Sequence, residues 1–418
     1  MKRFCKLFCV VLFVFSIVSV AHAENEVRIG VIFPLTGSAA STGQVLLEGV
    51  KLATDIINNK YKLNMPLAAT EGLPNLKGAK IKIIVADHQG KPEIGMAEAE
   101  RLITQEKVVA IIGCYNSAIT ATASQAAERY GIPFLNDSST SPTLTERGFK
   151  WFFRATPNDD LLSENFYNFL NDLKKKKNIK INSIALFSEN TLFGADSVKF
   201  QQKYADKYGY TVNGTVLYPA KSTQLTSEIQ KLKSYNSSIV LQTSYIADAI
   251  LSMKTYRELN YAPDAILANN AGFNDPEFVK TLGNDANFII SREVWAKDLA
   301  NVKPMIKTIA DMFQKRTGKT MDGSSSRSFT AMIVLADAIN RARSTEPEKI
   351  HKALLETDIK GSQLIVPWDG VKFDAKTHQN VLGKGIIVQV QNGEYYTVWP
   401  FNLATKEVVW PFPKWDKR

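Results

Sequence analysis

Two short loops rich in hydroxyl side chains follow predicted strands, and they are the segments of this sequence best suited to holding a ligand. Residues 113–117 follow one strand and open a helix, and residues 136–142 follow the next strand. Ligands of open α/β sheets bind beyond the carboxyl ends of the strands, where helix N-termini offer free N–H groups suited to a carboxylate. Ser117 and Thr140 could alternatively serve only as helix caps. Two such loops after neighbouring strands favour a binding site.

Patterns typical of catalysis and nucleotide binding do not occur in the sequence. There is no G-x-S-x-G elbow, and residues 37–43 have neither the spacing and lysine of a P-loop nor the pattern G-x-G-x-x-G. His88, His351 and His378 are not paired at metal-ligand spacing with one another or with Cys114. We therefore predict that the chain is not an enzyme and uses no cofactor and no metal ion.

The N-terminus has the order of a secretory signal peptide. Three basic residues within the first six positions precede an apolar stretch at residues 7–20, and Ala21 and Ala23 stand where a signal peptidase reads small side chains. We predict that residues 1–23 are a signal that is cleaved after Ala23. A retained membrane anchor is the alternative, but this apolar stretch is shorter than the roughly 20 residues of a spanning helix.

Composition argues against nucleic acid as a partner, and no segment after the signal is long and apolar enough to predict stable insertion into a membrane. Removing residues 1–23 takes away three basic residues and no acid, so the formal net charge falls from +10 to +7. The densest basic run, residues 174–177, is typical of a solvated helix end and has no interleaved aromatic residues for stacking on bases.

The cysteines Cys5 and Cys9 would be removed with the signal peptide. Cys114 would then remain alone, and we interpret it as a small buried residue.

Short apolar runs alternate with longer amphipathic runs along most of the chain. This pattern predicts an α/β fold in which parallel sheets are covered by helices on both faces. It runs from Val27 to Leu135 and restarts after Pro157, which indicates two similar lobes. Helices are expected to dominate residues 304–356, and strands return after Gly385. The predicted strands are 27–33, 80–86, 108–112, 132–135, 183–187, 211–217 and 239–242.

Three segments resemble the leucine/isoleucine/valine-binding protein family, the periplasmic receptors of branched-chain-type ABC importers. They are residues 29–37 (IGVIFPLTG), 113–145 and 153–157 (FRATP), and their order and spacing carry the likeness. The resemblance implies a type I periplasmic binding fold, with two Rossmann-like lobes joined by a hinge of three crossings that closes over the ligand. It places residues 24–157 and 295–383 in lobe I and residues 158–294 and 384–418 in lobe II.

The resemblance also implies roles for individual residues. Ser117 corresponds to the serine that binds the ligand carboxylate, Thr140 to a threonine that hydrogen-bonds the ligand, and Ser138 to a position of backbone contacts. Thr42 stands where the family often has an aromatic residue. Tyr245 corresponds to a tyrosine offered by the closing lobe, and burial in the core is its alternative.

One position departs from the family pattern. Ala271 aligns with the acidic residue that receives a ligand's ammonium group, and a buried ammonium without an acceptor would be costly. Either Asp248, one helical turn beyond Tyr245, replaces that acid, or the ligand is a carboxylate or amide without an ammonium group. Arg154 is expected to form a structural ion pair near the hinge. The predicted ligand-binding residues are therefore Ser117, Ser138, Thr140, Tyr245, Thr42, Asn116 and Asp248.

These features together predict a receptor that delivers a small polar solute, such as an amino acid, amide or carboxylate, to the permease subunits of an ABC importer from the periplasm. A ligand sensor on the same fold is the alternative, because fold alone does not separate the two. The sequence shows neither a membrane anchor nor a signalling domain, which favours transport. An exported α/β enzyme is the third hypothesis, and turnover of a bound compound would support it.

Overall fold

The computed structural model describes residues 26–181 and 183–418, so the predicted signal peptide lies outside the described residues. The first part of the chain alternates strands and helices. Its elements are β1 (Glu26–Phe33), α1 (Ala40–Asn58), β2 (Lys80–Asp87), α2 (Pro92–Thr104), β3 (Ala110–Gly113), α3 (Ser117–Tyr130), β4 (Phe134–Asn136), α4 (Thr143–Glu146) and β5 (Phe152–Arg154). The five strands are parallel, in the order β2-β1-β3-β4-β5.

The alternation continues through the middle of the chain. The elements are α5 (Asp159–Lys177), β6 (Ser183–Glu189), α6 (Leu192–Tyr208), β7 (Thr211–Tyr218), α7 (Thr226–Ser234), β8 (Ile239–Thr243), α8 (Ile246–Glu258), β9 (Ala265–Ala268), α9 (Pro276–Leu282) and β10 (Ile290–Glu293). Helix α5 begins after Asn158, whose side chain accepts a hydrogen bond from the Leu161 N–H, and its last turn holds the lysines 174–177. Both features stabilise a helix, because a cap satisfies a free N–H group and cations suit the C-terminal dipole.

The last part of the chain returns to both sheets. It contains α10 (Pro304–Thr317), α11 (Gly323–Ala342), α12 (Pro347–Leu355), β11 (Asp358–Lys360), β12 (Gly370–Lys372), β13 (Ile386–Gln391) and β14 (Glu394–Trp399). The second sheet has the order β14-β13-β10-β9-β8-β6-β7, and β13 runs antiparallel to both of its neighbours. Strands β11 and β12 form a small antiparallel pair.

The buried apolar residues form two main cores, one for each large sheet. The first core joins strands β1 and β3 to helices α1, α10, α11 and α12, and the second joins α5 and strands β6 to β10 to the C-terminal residues. Helices α2 and α3 cover the other face of the first sheet. The prediction of a two-lobed α/β fold is confirmed. The predicted lobe boundaries stay a proposal, which the division between the two cores supports.

The seven predicted strands are all present within a few residues of their predicted ends, and α3 begins at Ser117, where a helix was predicted to open. Strands β5, β9, β10, β11 and β12 were not predicted. Strand β10 carries Ser291, Arg292 and Glu293, and such polar residues hide a strand from hydrophobic patterning although the structure buries all three. No helix among the described residues is long and apolar enough to cross a membrane.

Candidate ligand-binding site

A small cavity lies between the carboxyl ends of the strands of the first sheet and the facing loops of the second lobe. Its lining residues are Tyr115, Ser117, Ser138, Thr140, Phe193, Tyr245, Asn270, Ala271, Arg292 and Arg327. Its free volume is about 20 Å³, and a single water molecule needs about 10–15 Å³. The Tyr245 ring lies 5.5 Å from the Tyr115 ring of the first lobe and 5.5 Å from the Phe193 ring. A larger ligand therefore needs these rings or the lobes to move apart.

Ser117 presents a free hydroxyl to this cavity. It is the first residue of α3, directly after the loop that follows β3, and it is 1% exposed. Its Oγ has no hydrogen-bond partner among the described residues, and neither has the buried Oδ1 of Asn116. The N-cap of α3 is Asn116, without a side-chain cap bond. The Ser117 hydroxyl is therefore not used as a cap and is available to a ligand.

Ser138 and Thr140 reach the cavity from the loop after β4. The Ser138 hydroxyl donates to Asp137 at 2.8 Å, and the Thr140 hydroxyl accepts from the Arg292 guanidinium at 3.3 Å. Thr140 is not a helix cap, because α4 begins only at Thr143. Burial raises the pKa of the Asp137 carboxyl to about 6, although its hydrogen bond with Ser138 opposes the shift.

Two buried arginines line the cavity, and the sequence analysis did not identify either of them. Arg292, at the end of β10, forms an ion pair of 2.9 Å with Asp159, and its Nε donates to Asn269 at 2.6 Å. Its Nη1 has no partner among the described residues. Burial lowers the pKa of the guanidinium to about 10, so it remains a cation at neutral pH.

Arg327 approaches from α11. Its Nη2 donates to the side-chain oxygens of Asn270 and Ser324 at 3.4 and 3.2 Å, and its Nε donates to the backbone of Gly323. All of these acceptors are uncharged. The guanidinium therefore lies beside the cavity without an ion pair among the described residues, and it is only 2% exposed to solvent.

Of the predicted site residues, the structure brings Ser117, Ser138, Thr140 and Tyr245 together in the lining. The Tyr245 hydroxyl faces the side chain of Asn116, which lies just outside the lining. Asp248 also lies outside it, and one of its carboxylate oxygens accepts from the Lys221 backbone N–H at 2.8 Å. Asp248 does not reach the cavity in this conformation.

Thr42 contacts the other lobe instead of the cavity. Its hydroxyl and that of Ser41 donate to Asp275, at the start of α9. A second contact across the cleft joins Ser141 and Thr143 to Asp196 on α6, at 2.5 and 2.8 Å. These two carboxylates connect the two lobes.

Arg154 has a structural role of a different kind from the predicted ion pair. It is fully buried and donates to the Ser141 carbonyl at 2.6 Å, to the Thr145 hydroxyl at 3.0 Å and to the Gln379 side chain at 2.6 Å. These acceptors are neutral, so the predicted ion pair is wrong. The Gln379 contact nevertheless ties β5 to the segment just before residues 382–385, where the resemblance implies the third crossing of the hinge. Cys114 is buried, as predicted.

Ala271 lies in the lining, within a short 3₁₀ turn over Ala271–Asn274. No aspartate or glutamate is among the lining residues of this cavity in the described part of the chain. The lining thus offers hydroxyl and guanidinium donors, aromatic rings and an amide. It offers no carboxylate that would accept an ammonium group.

Comparison with known proteins places this chain in a family. Residues 26–394 match the family described as periplasmic binding protein. The Leu/Ile/Val-binding protein homolog 7 of Brucella suis biovar 1 is 25% identical over 402 residues, which cover 94% of this chain and 96% of that protein.

Two solved structures have a similar fold. The leucine binding protein LivK of Thermotoga maritima superposes with a TM-score of 0.76 at 21% identity, covering 89% of this chain and 97% of that one. An ABC transporter solute-binding protein of R. palustris, in complex with 4-hydroxybenzoate, superposes with a TM-score of 0.74 at 17% identity, covering 94% and 99%. The resemblance read from three sequence segments is thereby confirmed. The chain belongs to the periplasmic binding protein family.

Proposed function

We propose that this chain is the extracytoplasmic binding protein of an ABC importer and that it holds a small carboxylate between its lobes. The observation that supports this most directly is the donor set of the cavity. The free Ser117 hydroxyl, the unpartnered Nη1 of Arg292 and the Arg327 guanidinium, whose hydrogen-bond acceptors are neutral, all suit an anion. Charge-assisted hydrogen bonds to a carboxylate are about twice as strong as neutral ones.

The same lining argues against an ammonium group on the ligand. A buried ammonium needs an acceptor, and leaving it unpaired costs several kcal/mol. The hydrogen-bond acceptors in the lining are neutral: the Asn270 amide and the hydroxyls of Thr140, Tyr115 and Tyr245. The two guanidinium groups would repel the ammonium cation. An acid without an ammonium group therefore fits better than an amino acid. The rings of Tyr115, Phe193 and Tyr245 suit an aromatic or aliphatic remainder.

An amino acid is the second candidate ligand. The relative from Brucella is named for leucine, isoleucine and valine, and LivK for leucine, while the R. palustris protein holds 4-hydroxybenzoate. Both chemistries carry a carboxylate, so Ser117 would serve either. Amino acids and simple acids differ in the presence of an ammonium group, which we expect to face Ala271.

Closure of a hinge would connect binding to transport. The three crossings proposed near residues 156–159, 291–295 and 382–385 would let the lobes separate, admit the acid and close again. The Asp196 and Asp275 contacts would hold the closed form, which the permease subunits in the membrane would recognise. This role places the mature chain in the periplasm, without catalysis.

The test is a thermal-shift screen of refolded, ligand-stripped mature protein. Matched pairs are leucine with 4-methylpentanoate and phenylalanine with 3-phenylpropanoate, and 4-hydroxybenzoate is added alone. A ligand at 100 times its Kd should stabilise the protein by about 2.7 kcal/mol. We expect the acids to raise the melting temperature more than their amino acid partners. Stabilisation by amino acids alone would contradict the choice of ligand, and turnover detected by mass spectrometry would contradict the receptor function.

A further inference from the structure

A second and larger cavity lies at the edge of the contact between the lobes, beside residues 293–297. Its free volume is about 590 Å³, against about 20 Å³ for the first cavity. Helix α1 contributes Ser41 and Val45 from the first lobe, and helix α9 contributes Pro276 and Val279 from the second. Its size is within the range of sites for small organic molecules. Because both lobes form its walls, its shape depends on their separation.

Two buried carboxylates without a basic partner lie in the wall of this cavity. Glu293 is 4% exposed and accepts from the side chains of Asn270 and Asn274 at 2.7 and 3.1 Å, and from a backbone N–H. One oxygen of Asp322 accepts from the Ser325 backbone at 2.7 Å, while the other is buried without a partner. No lysine or arginine of residues 26–181 and 183–418 forms an ion pair with either. Uncompensated buried charge is costly, so this wall suits a cation.

Glu293 and Asp322 belong to one site. A Cβ atom on Gly323, the residue after Asp322, would lie only 2.2 Å from both Glu293 carboxylate oxygens. The Glu293 carboxylate therefore packs directly on the start of α11. Burial raises the pKa of Asp322 to about 6, so it is still mostly ionised at neutral pH. A ligand's ammonium group could interact with both carboxylates at once.

The remaining wall is apolar and aromatic. Trp295 and Met321 are each 2% exposed, and Tyr395 and Val388 complete the surface. The Trp295 Nε1 is buried without a hydrogen-bond partner among the described residues. An indole ring attracts an organic cation through its face, and its free N–H group can donate to an oxygen of the same molecule.

Lysines occur only at the exposed rim. Lys280, Lys297 and Lys319 line the mouth, and Lys280 already pairs with Glu277 at 2.9 Å. Water and salt screen such exposed charges strongly. Two buried arginines lie behind this wall. Arg292 is paired with Asp159, and Arg327 is separated from Glu293 by the neutral Asn270 side chain. Among the described residues, neither forms an ion pair with Glu293 or Asp322.

We propose that this second cavity binds a small organic amine, with its ammonium group against Glu293 and Asp322 and its apolar part against Trp295 and Met321. A metal ion suits the cavity less well, because the described residues contain no group of three or more His, Cys, Asp or Glu side chains that could hold one. The amine site is distinct from the acid site, and it does not depend on the acid's identity.

Calorimetric titration of the mature protein with tyramine, 2-phenylethylamine and cadaverine tests this proposal. The matched control ligand for tyramine is 2-(4-hydroxyphenyl)ethanol, in which a hydroxyl replaces the ammonium group.

Asp322→Asn removes one charge and keeps a residue that caps α11. Val279→Trp fills the cavity from α9, and Val302→Trp, at a position 62% exposed and outside the lining, is its control. Ser117→Ala reports any entry of amine into the acid site.

We expect at least one of the three amines to bind. We expect tyramine to bind at least ten times more tightly than 2-(4-hydroxyphenyl)ethanol. Asp322→Asn should weaken amine binding at least tenfold and Val279→Trp should abolish it, whereas Val302→Trp and Ser117→Ala should leave it unchanged. Circular dichroism checks the fold of each variant. If Asp322→Asn does not fold, the loss of amine binding in Val279→Trp is the test of the proposal. No heat from any of the three amines, equal binding of tyramine and alcohol, or loss of binding in Ser117→Ala would each overturn the proposal.

Discussion

The side chain of Asn270 donates a hydrogen bond of 2.7 Å to Glu293, and this bond forms part of the partition between the two cavities. The oxygen of the same amide accepts from Arg327 at 3.4 Å and from the Ala271 N–H at 2.6 Å. One neutral amide thus separates a cationic lining from an anionic one. Its neutrality keeps the two cavities opposite in charge.

Asn270→Asp should weaken carboxylate binding in the first cavity. The new carboxylate would lie beside Arg327 and compete with the ligand for its charge, and we expect the Kd of the acid to rise at least tenfold, which is about 1.4 kcal/mol. Calorimetric titration with the acid found in the screen measures the change. Asn284→Asp, at an exposed position away from both cavities, is the matched control. An unchanged Kd would mean that Arg327 does not contribute to binding.

Ser117→Ala should reduce acid affinity without harming the fold. A hydrogen bond to a charged group contributes about 1.5–3 kcal/mol, so the Kd should rise about 10- to 150-fold. The Ser117 hydroxyl has no partner within the described protein, so the free energy of unfolding should change little. Ser124→Ala is the control, because Ser124 is equally buried on α3 but donates to Thr120 within the helix. If both variants bound the acid like wild type, Ser117 would not contact the ligand.

The sequence allowed the hydroxyl side of the site to be predicted, and the reason is local. Ser117 and Thr140 follow apolar strands whose order in a parallel sheet brings their carboxyl ends to one edge. The arginines could not be found in this way. Arg292 lies in a strand that its own polar residues conceal, and Arg327 lies within the helix Gly323–Ala342, far along the chain. Only the packing of α11 against the first lobe brings Arg327 to the cavity.

The acceptor for a ligand's ammonium group could be predicted from the sequence only in part. The missing acid at Ala271 was visible from the sequence, but its replacement by Asp248 rested on helical spacing alone. In the structure Asp248 binds the Lys221 N–H, and the lining contains no acid. Spacing along a helix predicts which face a residue shares. It does not predict which loop of another segment occupies that face.

Ala271→Asp should shift ligand preference toward amino acids. Ala271 has a backbone φ of 51°, and aspartate tolerates this left-handed conformation better than most residues. The new carboxylate would accept an ammonium group at the position where the lining has none. We expect the ratio of leucine affinity to 4-methylpentanoate affinity to rise at least tenfold, measured by competition for one reporter acid. Ala271→Asn keeps the size without the charge, and an equal shift in that variant would contradict the electrostatic explanation.

Asp196→Ala should favour the open form. Asp196 accepts from the Ser141 and Thr143 hydroxyls of the other lobe, and hydrogen bonds to a charged acceptor contribute about 1.5–3 kcal/mol. Since the apparent Kd rises as the binding-competent fraction falls, we expect at least tenfold weaker binding and faster dissociation. Small-angle scattering should give a larger radius of gyration without ligand. Asp206→Ala, exposed on the same helix, should behave like wild type. Equal radii for Asp196→Ala and wild type would contradict a latch between the lobes.

Glu189 should make the protein less stable as pH rises through neutrality. This carboxyl is fully buried, it accepts from the Tyr245 backbone N–H at 3.0 Å, and Asp248 lies beside it. Burial is the main cause that raises its pKa from the usual 4.5 to about 8, and the Asp248 charge adds to the shift. Between those two pH values the folded chain holds a proton on Glu189 that the unfolded chain has released. The free energy of unfolding therefore falls with rising pH in that window, by at most about 1.4 kcal/mol per pH unit for one proton.

Glu189→Gln should remove this dependence, because an amide resembles the protonated acid and does not titrate. Urea unfolding from pH 4.5 to about one unit above the pKa of about 8 should show that wild type loses stability relative to Glu189→Gln as pH rises, and that the difference levels off above pH 8. Glu258→Gln, at an exposed position on α8, is the matched control and should leave the slope unchanged. Parallel pH profiles for wild type and Glu189→Gln would show that Glu189 is ionised in the folded protein throughout. The Tyr245 N–H would then be held by a charged carboxylate, and its contribution to the closed site would not depend on pH.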